Sequence, residues 1–272
     1  MFGEGWLILV KGAGDLGTGV AWRLFGAGFP VVVTELPDPL VIRRAVAFAS
    51  AVWKGSITVE GVMATRVESP EAARAALRAG RVPVLIDPEM ACREALRPRI
   101  LIDAAMTKHN TGTRLSDAPL VIALGPGFEA GVDCHAVVET SRGHALGRVY
   151  WQGRALDDTG TPGRVAGYAA ERVLRAPCDG VLHARHDIGD TVAQGEMIAE
   201  VAGTPIRAPF TGVLRGLIRD GRRVTAGLKV ADVDPRGVRE HCFTISDKAL
   251  AVGGAALWAI LAWAARGKIN RE

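Results

Sequence analysis

The residue types and spacings able to do chemistry in this 272-residue chain fall into two groups. The first is Gly12-Ala13-Gly14-Asp15-Leu16-Gly17, a GxGxxG spacing, with Glu35 following 18 residues after Gly17. In such a run the first glycine permits a tight turn. The second lets the backbone approach a pyrophosphate, and the third allows close helix–strand packing. A helix opening there offers free N–H groups and a partial positive charge to a phosphate. Glu35 can accept hydrogen bonds from ribose hydroxyls. Asp15 opposes a phosphate unless its side chain caps the helix or a metal ion accompanies the phosphate. The alternative is the same scaffold with an empty site.

The second group is a set of polar loops. Lys108-His109-Asn110-Thr111-Gly112-Thr113 follows Asp103, and Gly125-Pro126-Gly127-Phe128-Glu129-Ala130-Gly131 is another glycine-rich turn. Glu139-Thr140-Ser141-Arg142-Gly143-His144 comes next, then Gly147-Arg148. Lys108, Arg142 and Arg148 suit an anion, with arginine able to bind through a two-pronged fork. His144 suits proton transfer. Lys108 and His144 are the candidate catalytic groups. Asn110, Gly125 and Gly127 join the candidate ligand-binding set with Gly12, Gly14, Asp15, Leu16, Gly17 and Glu35. The plainer alternative for each loop residue is solvated surface. No metal-ligand spacing and no catalytic triad is visible, so the metal assignment is none.

Elements must position these residues. Residues 6–11 read as a buried strand, 18–28 as a helix and 31–35 as a strand, a βαβ unit that requires parallel pairing. Residues 38–54 look helical and 56–67 hold short strands. Residues 70–79 form a helix with proline at its start. Apolar runs at 82–87, 100–104 and 119–124 each end in Asp or Gly, on the sheet edge where ligands sit. The expected fold class is α/β, an N-terminal Rossmann-like parallel sheet over 1–165. A polar stretch over 152–164 precedes a change of character.

From Ala176 the glycines become regular. Residues 176–201 and 208–233 align without gaps at an offset of 32. The pairs include Ala176/Ala208, Pro177/Pro209, Gly180/Gly212, Gly189/Gly221, Gly195/Gly227 and Val201/Val233. A duplicated unit of short strands suggests two interlocked β-hairpin layers over 166–240. It resembles the biotinyl/lipoyl barrel-sandwich hybrid domain. The connection Ala202-Gly203-Thr204-Pro205-Ile206 carries no lysine, which argues against a swinging arm and for a structural or docking module.

Residues 241–272 form the last segment. Ala249–Ala265 is apolar over 17 residues between Lys248 and Arg266. That reads as a buried helix rather than a membrane anchor, because it is short for a span and Gly253-Gly254 interrupts it. The net charge of +4 is scattered and leaves no groove-binding stripe, so nucleic acid is not an expected partner. The four cysteines are widely spaced and form no CxxC pair, consistent with buried reduced thiols. The chain enters a strand directly with no signal peptide, so a cytoplasmic location is expected.

The phrases GAGDLGTG (Gly12–Gly19), ALGPGFEAGVD (Ala123–Asp133), ETSRGHALGRV (Glu139–Val149), DTGTPG (Asp158–Gly163) and the ISDKALAVGG tail complete the pattern. Together they resemble the accessory proteins of selenium-dependent molybdenum hydroxylases. The resemblance implies a maturation factor acting on a molybdenum hydroxylase client. The bound nucleotide would then be the dinucleotide form of the molybdenum cofactor. The alternative function is an NAD(P)-dependent oxidoreductase. A small-molecule nucleotide is the expected ligand on either reading, and a homo-oligomer is allowed by both.

Overall fold

The computed structural model describes residues 3–160 and 163–269; Thr161 and Pro162 of the DTGTPG phrase lie outside the described residues. The chain divides into two compact units. One comprises Met1–Pro39, Phe48–Asp158 and Ile245–Glu272; the other comprises Leu40–Ala47 and Thr159–Thr244.

The larger unit is a mixed α/β layer structure. Its strands in chain order are β1 (Ile8–Lys11), β2 (Val31–Glu35), β3 (Ser56–Val59), β4 (Val62–Val67), β5 (Val82–Ile86), β6 (Ile100–Asp103) and β7 (Leu120–Leu124). There follow β8 (Glu129–Ala130), β9 (Ala136–Val138), β10 (Val149–Tyr150) and β11 (Gly153–Arg154). A nine-stranded sheet has the order β10-β9-β7-β6-β1-β2-β5-β4-β3. Pairing is parallel from β4 to β9, and only the outer strands β3 and β10 run antiparallel. β8 and β11 form a separate two-stranded ribbon.

The apolar runs explain the layering. β1, β6 and β7 are buried along their whole length, which requires cover on both sheet faces. On one face Leu9, Val32, Leu101, Val121 and Ala123 pack with Ala73, Met90, Cys92 and Leu96. The helices here are α1 (Asp15–Gly26), α2 (Ala51–Lys54), α3 (Pro70–Arg78), α4 (Arg93–Leu96) and α5 (Asp247–Ile269). α3 starts where expected: Pro70 follows Ser69, whose hydroxyl accepts from the Ala72 amide at 3.2 Å.

Two helix expectations need correction. α1 begins at Asp15 rather than Thr18, because Gly14 already takes the N-cap position. Residues 38–54 are not one helix; they hold short 3-10 turns at Arg44–Val46 and Phe48–Ser50 and then α2. The cause is tertiary: Leu40–Ala47 leaves the first unit and joins the second.

α5 packs against α1, and the contact needs glycine on both helices. A Cβ on Gly19 would lie 2.7 Å from the Ala249 Cβ, and one on Gly253 would lie 2.8 Å from the Gly19 carbonyl oxygen. The opposite side of α5 leaves Trp258 and Leu261 about half exposed. Over Asp247–Arg266 the helix is long and apolar enough to cross a membrane by length and composition, and only part of it is buried.

The smaller unit contains β12 (Val173–Arg175), β13 (Gly180–Ala184), β14 (Thr191–Val192), β15 (Met197–Val201), β16 (Thr204–Arg207), β17 (Gly212–Leu217), β18 (Arg223–Val224) and β19 (Lys229–Asp234). Two four-stranded sheets have the orders β12-β19-β17-β14 and β16-β15-β13-β18. The repeats are therefore interlocked: each sheet takes its short edge strand, β14 or β18, from the other repeat. The equivalent residues Leu182 and Leu214, Val192 and Val224, and Val201 and Val233 all enter one core. Ala202 and Gly203, both at positive φ, make the two-residue turn between β15 and β16.

Candidate functional site

The chain runs from β1 outward to β2 and β5 on one side, and to β6, β7 and β9 on the other. The order thus reverses between β1 and β6, the position where open α/β sheets leave a crevice beyond the carboxyl ends of the strands. The glycine-rich loop leaves β1 at that reversal.

Each glycine of the loop does something different. Gly12 has φ +95°, and a Cβ there would meet the Ala105 backbone at 2.9 Å. A Cβ on Gly17 would lie 2.0 Å from the Gly12 carbonyl oxygen, so helix and loop are in direct contact. Gly14 has an ordinary extended conformation, and a Cβ there would meet nothing within 4 Å. The space beside Gly14 is open, and the first amides of α1 have no partner within the helix. Asp15 and Leu16 form the first helical residues, half-buried.

Glu35 ends β2 and turns back to this loop. Its Oε2 accepts from the Ala13 amide at 2.7 Å and its Oε1 from the Leu36 amide at 2.7 Å. Burial pushes the carboxyl pKa up, and the two amides only partly offset that.

A buried polar group at the same sheet edge escapes the sequence reading. Lys11 Nζ donates to Thr111 Oγ1 at 2.8 Å and lies 3.4 Å from Asp103 Oδ2. Asp103 Oδ2 accepts from the Thr113 hydroxyl at 2.6 Å, and its Oδ1 from the Ala105 amide at 3.1 Å. The available signal was a charged residue ending each of two otherwise apolar runs, ILVK and ILID.

The loops after β6, β7 and β9 pack on one another. A Cβ on Gly127 would lie 2.6 Å from the His109 backbone, and one on Gly125 would lie 2.6 Å from Thr140 Oγ1. Asn110 holds its own loop: its side chain accepts from the Gly112 and Thr113 amides and donates to Asp133 Oδ1 at 3.2 Å. Lys108 forms an ion pair with Asp158 at 2.5 Å. Arg142 makes a two-pronged pair with Asp247 on α5, at 2.6 and 2.8 Å.

Beside that pair sits Lys248, which the sequence reading did not select. Burial lowers its pKa and the Arg142 charge lowers it further, while Asp15, Glu139 and Asp158 pull the other way. The charges of Arg142 and Asp15 thus both act on this lysine. Glu139 is fully buried, its carboxylate accepting from the Ser141 amide at 2.6 Å and the Leu156 amide at 2.8 Å. His144 and Arg148 are exposed and form no side-chain bond among the described residues. The thiols are unpaired; Cys92, Cys134 and Cys242 are buried, and burial pushes the Cys134 pKa up to about 12.

No family model matches the chain. The chain is 46% identical over 255 residues to the uncharacterized protein YqeB of Escherichia coli (strain K12), covering 94% of this chain and 47% of that protein. It therefore spans about half the length of the curated relative it matches. Among solved structures it aligns with the ectoine utilization protein EutE (DoeB) of Ruegeria pomeroyi, at 13% identity and a TM-score of 0.24, covering 84% of this chain and 57% of that one. It also aligns with an aspartoacylase family protein of Mesorhizobium loti, at 13% identity and a TM-score of 0.25, covering 84% and 83%. Scores this low lend no activity to the chain.

The maturation-factor expectation is corrected here. The relative's name states no activity, and the solved structures are named as ectoine utilization, aspartoacylase family and succinylglutamate desuccinylase proteins, none of them as a molybdenum hydroxylase accessory protein. Selenium dependence and the molybdenum cofactor are set aside with it, and so is the NAD(P)-dependent oxidoreductase. The physical reason lies in the phrases themselves. Gly125, Gly127, Gly131, Gly143 and Gly147 all have positive φ. They mark backbone geometry that many reactions share, not one reaction.

Proposed function

We propose that this chain is a nucleotide-binding protein that takes the diphosphate of a nucleotide or dinucleotide at the Gly12–Gly17 loop. The larger unit is then a Rossmann-like domain, its phosphates on the α1 N-terminus and a ribose on the free lone pairs of Glu35. The observation that carries this reading is the open space at Gly14, beside a sheet-order reversal, where every neighbouring glycine is closed in. The smaller unit is a barrel-sandwich hybrid built from two interlocked repeats. With Ala202 and Gly203 at its hairpin turn in place of a lysine, it serves as a structural or docking module.

The test is calorimetric titration of the wild type and Gly14→Val with ADP, NAD and NADP. The backbone at Gly14 is one that any residue adopts, so the variant folds. Its side chain fills the phosphate approach, and binding is lost. Equal binding to both proteins refutes the site, as does the absence of binding to the wild type.

A further inference from the structure

We propose that a second site at this sheet edge, floored by Lys11, binds the oxyanion group of a small molecule, a carboxylate or a phosphate. It uses none of the Gly12–Gly17 loop and does not rest on the nucleotide reading.

The floor is a row across three adjacent strands. Thr34, Lys11 and Asp103 are paired in register on β2, β1 and β6, so parallel pairing puts all three on one sheet face. That face carries Leu9, Val32 and Leu101 two residues earlier. Polar residues therefore replace apolar ones at the carboxyl ends of three neighbouring strands. All three are more than nine-tenths buried. Burial of polar groups at this density carries a cost unless each is hydrogen-bonded.

The bonding here is incomplete. Asp103 is well served by the Thr113 hydroxyl and the Ala105 amide. Lys11 has one short bond, to Thr111 Oγ1 on an exposed turn; its other contacts, to Thr113 Oγ1, Asp103 Oδ2 and the Thr111 carbonyl, are all 3.4 Å. The Thr34 hydroxyl has no hydrogen-bond partner among the described residues. The row thus holds a buried ammonium with one short and three long contacts beside an unpartnered buried hydroxyl in the adjoining register position.

A cleft of about 410 Å³ reaches Lys11 from outside, lined also by Glu89, Arg93, Thr111, Arg114 and Asp117. That volume suits a small molecule rather than a peptide or nucleic acid. Asp117 is already engaged by the Arg114 amide at 2.8 Å and by Arg93 Nε at 3.6 Å. The Arg114 guanidinium at the rim and the Lys11 ammonium, which Asp103 approaches only to 3.4 Å, can together recognise an oxyanion, with Glu89 the lining carboxylate that opposes it.

The experiment titrates isotope-labelled wild type with inorganic phosphate and, separately, with malonate at constant ionic strength, following backbone amides by NMR. The expected shifts centre on Thr111, Gly112 and Arg114, and the more effective probe tells phosphate from carboxylate. Arg114→Ala at the exposed rim weakens that binding by about threefold to tenfold, and Lys11→Met by more. Lys11→Met risks misfolding through Asp103; Arg114→Ala does not expose a buried charge. Shifts confined to residues 12–17, no shift at Thr111–Arg114 with either probe, or unchanged affinity in Arg114→Ala overturns the proposal. Loss of nucleotide binding in Gly14→Val is read independently, so either site can fail alone.

Discussion

Glu35 and Ala13 are joined by a 2.7 Å hydrogen bond in which a carboxylate at the end of β2 accepts an amide of the glycine loop. The bond ties the second strand to the loop that follows the first. It also places a partly desolvated carboxylate beside the proposed phosphate site, and it has a pH signature. Burial raises the Glu35 pKa, so the folded protein holds this proton more tightly than the unfolded chain does. The contribution favours folding below the ordinary carboxylate pKa and is withdrawn as pH rises through the raised value. In Glu35→Gln that dependence is absent. Urea unfolding of both proteins should show the variant gaining on the wild type as pH rises from about 4 to about 7. A gap that moves the other way rejects the raised pKa.

Lys248 offers a second titration. Burial and the Arg142 charge both hold its pKa below the usual lysine range. Removing the guanidinium in Arg142→Ala should raise the Lys248 pKa toward the usual lysine range. NMR titration of the lysine side chain in both proteins reads the shift. A fall in pKa would mean that Arg142 is not the neighbour that matters.

Close packing of α1 gives a stability prediction that separates the glycines. Gly17→Ala puts a Cβ 2.0 Å from the Gly12 carbonyl oxygen and should cost roughly 2–3 kcal/mol or more, because backbone must move. Gly14→Ala meets nothing and should stay within about 0.5 kcal/mol of the wild type. Chemical denaturation measures both. Similar losses at the two positions would contradict the loop geometry.

The smaller unit should depend on a segment far away in sequence. Arg43 is buried and donates to the His241 and Thr244 carbonyls at 2.9 and 2.8 Å. The Leu217 amide donates to the Ile42 carbonyl at 2.9 Å. A fragment of residues 159–244 should therefore melt lower than the same fragment supplied with a peptide of residues 40–47, and Arg43→Ala in that peptide should cancel the gain. Circular dichroism melting curves decide it. A fragment that the peptide does not stabilise would show that the repeats complete their own core.

Much of this architecture was legible in the residues because it depends on local rules. The β-branched runs, the GxGxxG spacing and the Ser69-Pro70 helix start each set a strand, a turn or a cap from neighbours in sequence. The 32-residue repeat likewise exposed the duplication in the smaller unit. Function was less legible. Glycine-rich phrases report positive φ and close approach, which recur under unrelated chemistries, and they led to a maturation role that the comparisons do not bear out.

Other features exist only once distant segments meet. The register that sets Thr34, Lys11 and Asp103 side by side joins three strands separated by loops and helices, so no spacing in the chain announces it. The exchange of β14 and β18 between repeats is a choice of pairing partner that both repeats permit equally by sequence. Residues 40–47 carry helix-forming side chains, but their backbone groups and Arg43 find partners in the smaller unit, and those bonds override local propensity. The sequence by itself determined the parallel α/β core, the loop and the duplication, through periodicity and backbone sterics. Tertiary structure alone decided which buried charges share a site, because burial and pairing belong to contacts between elements.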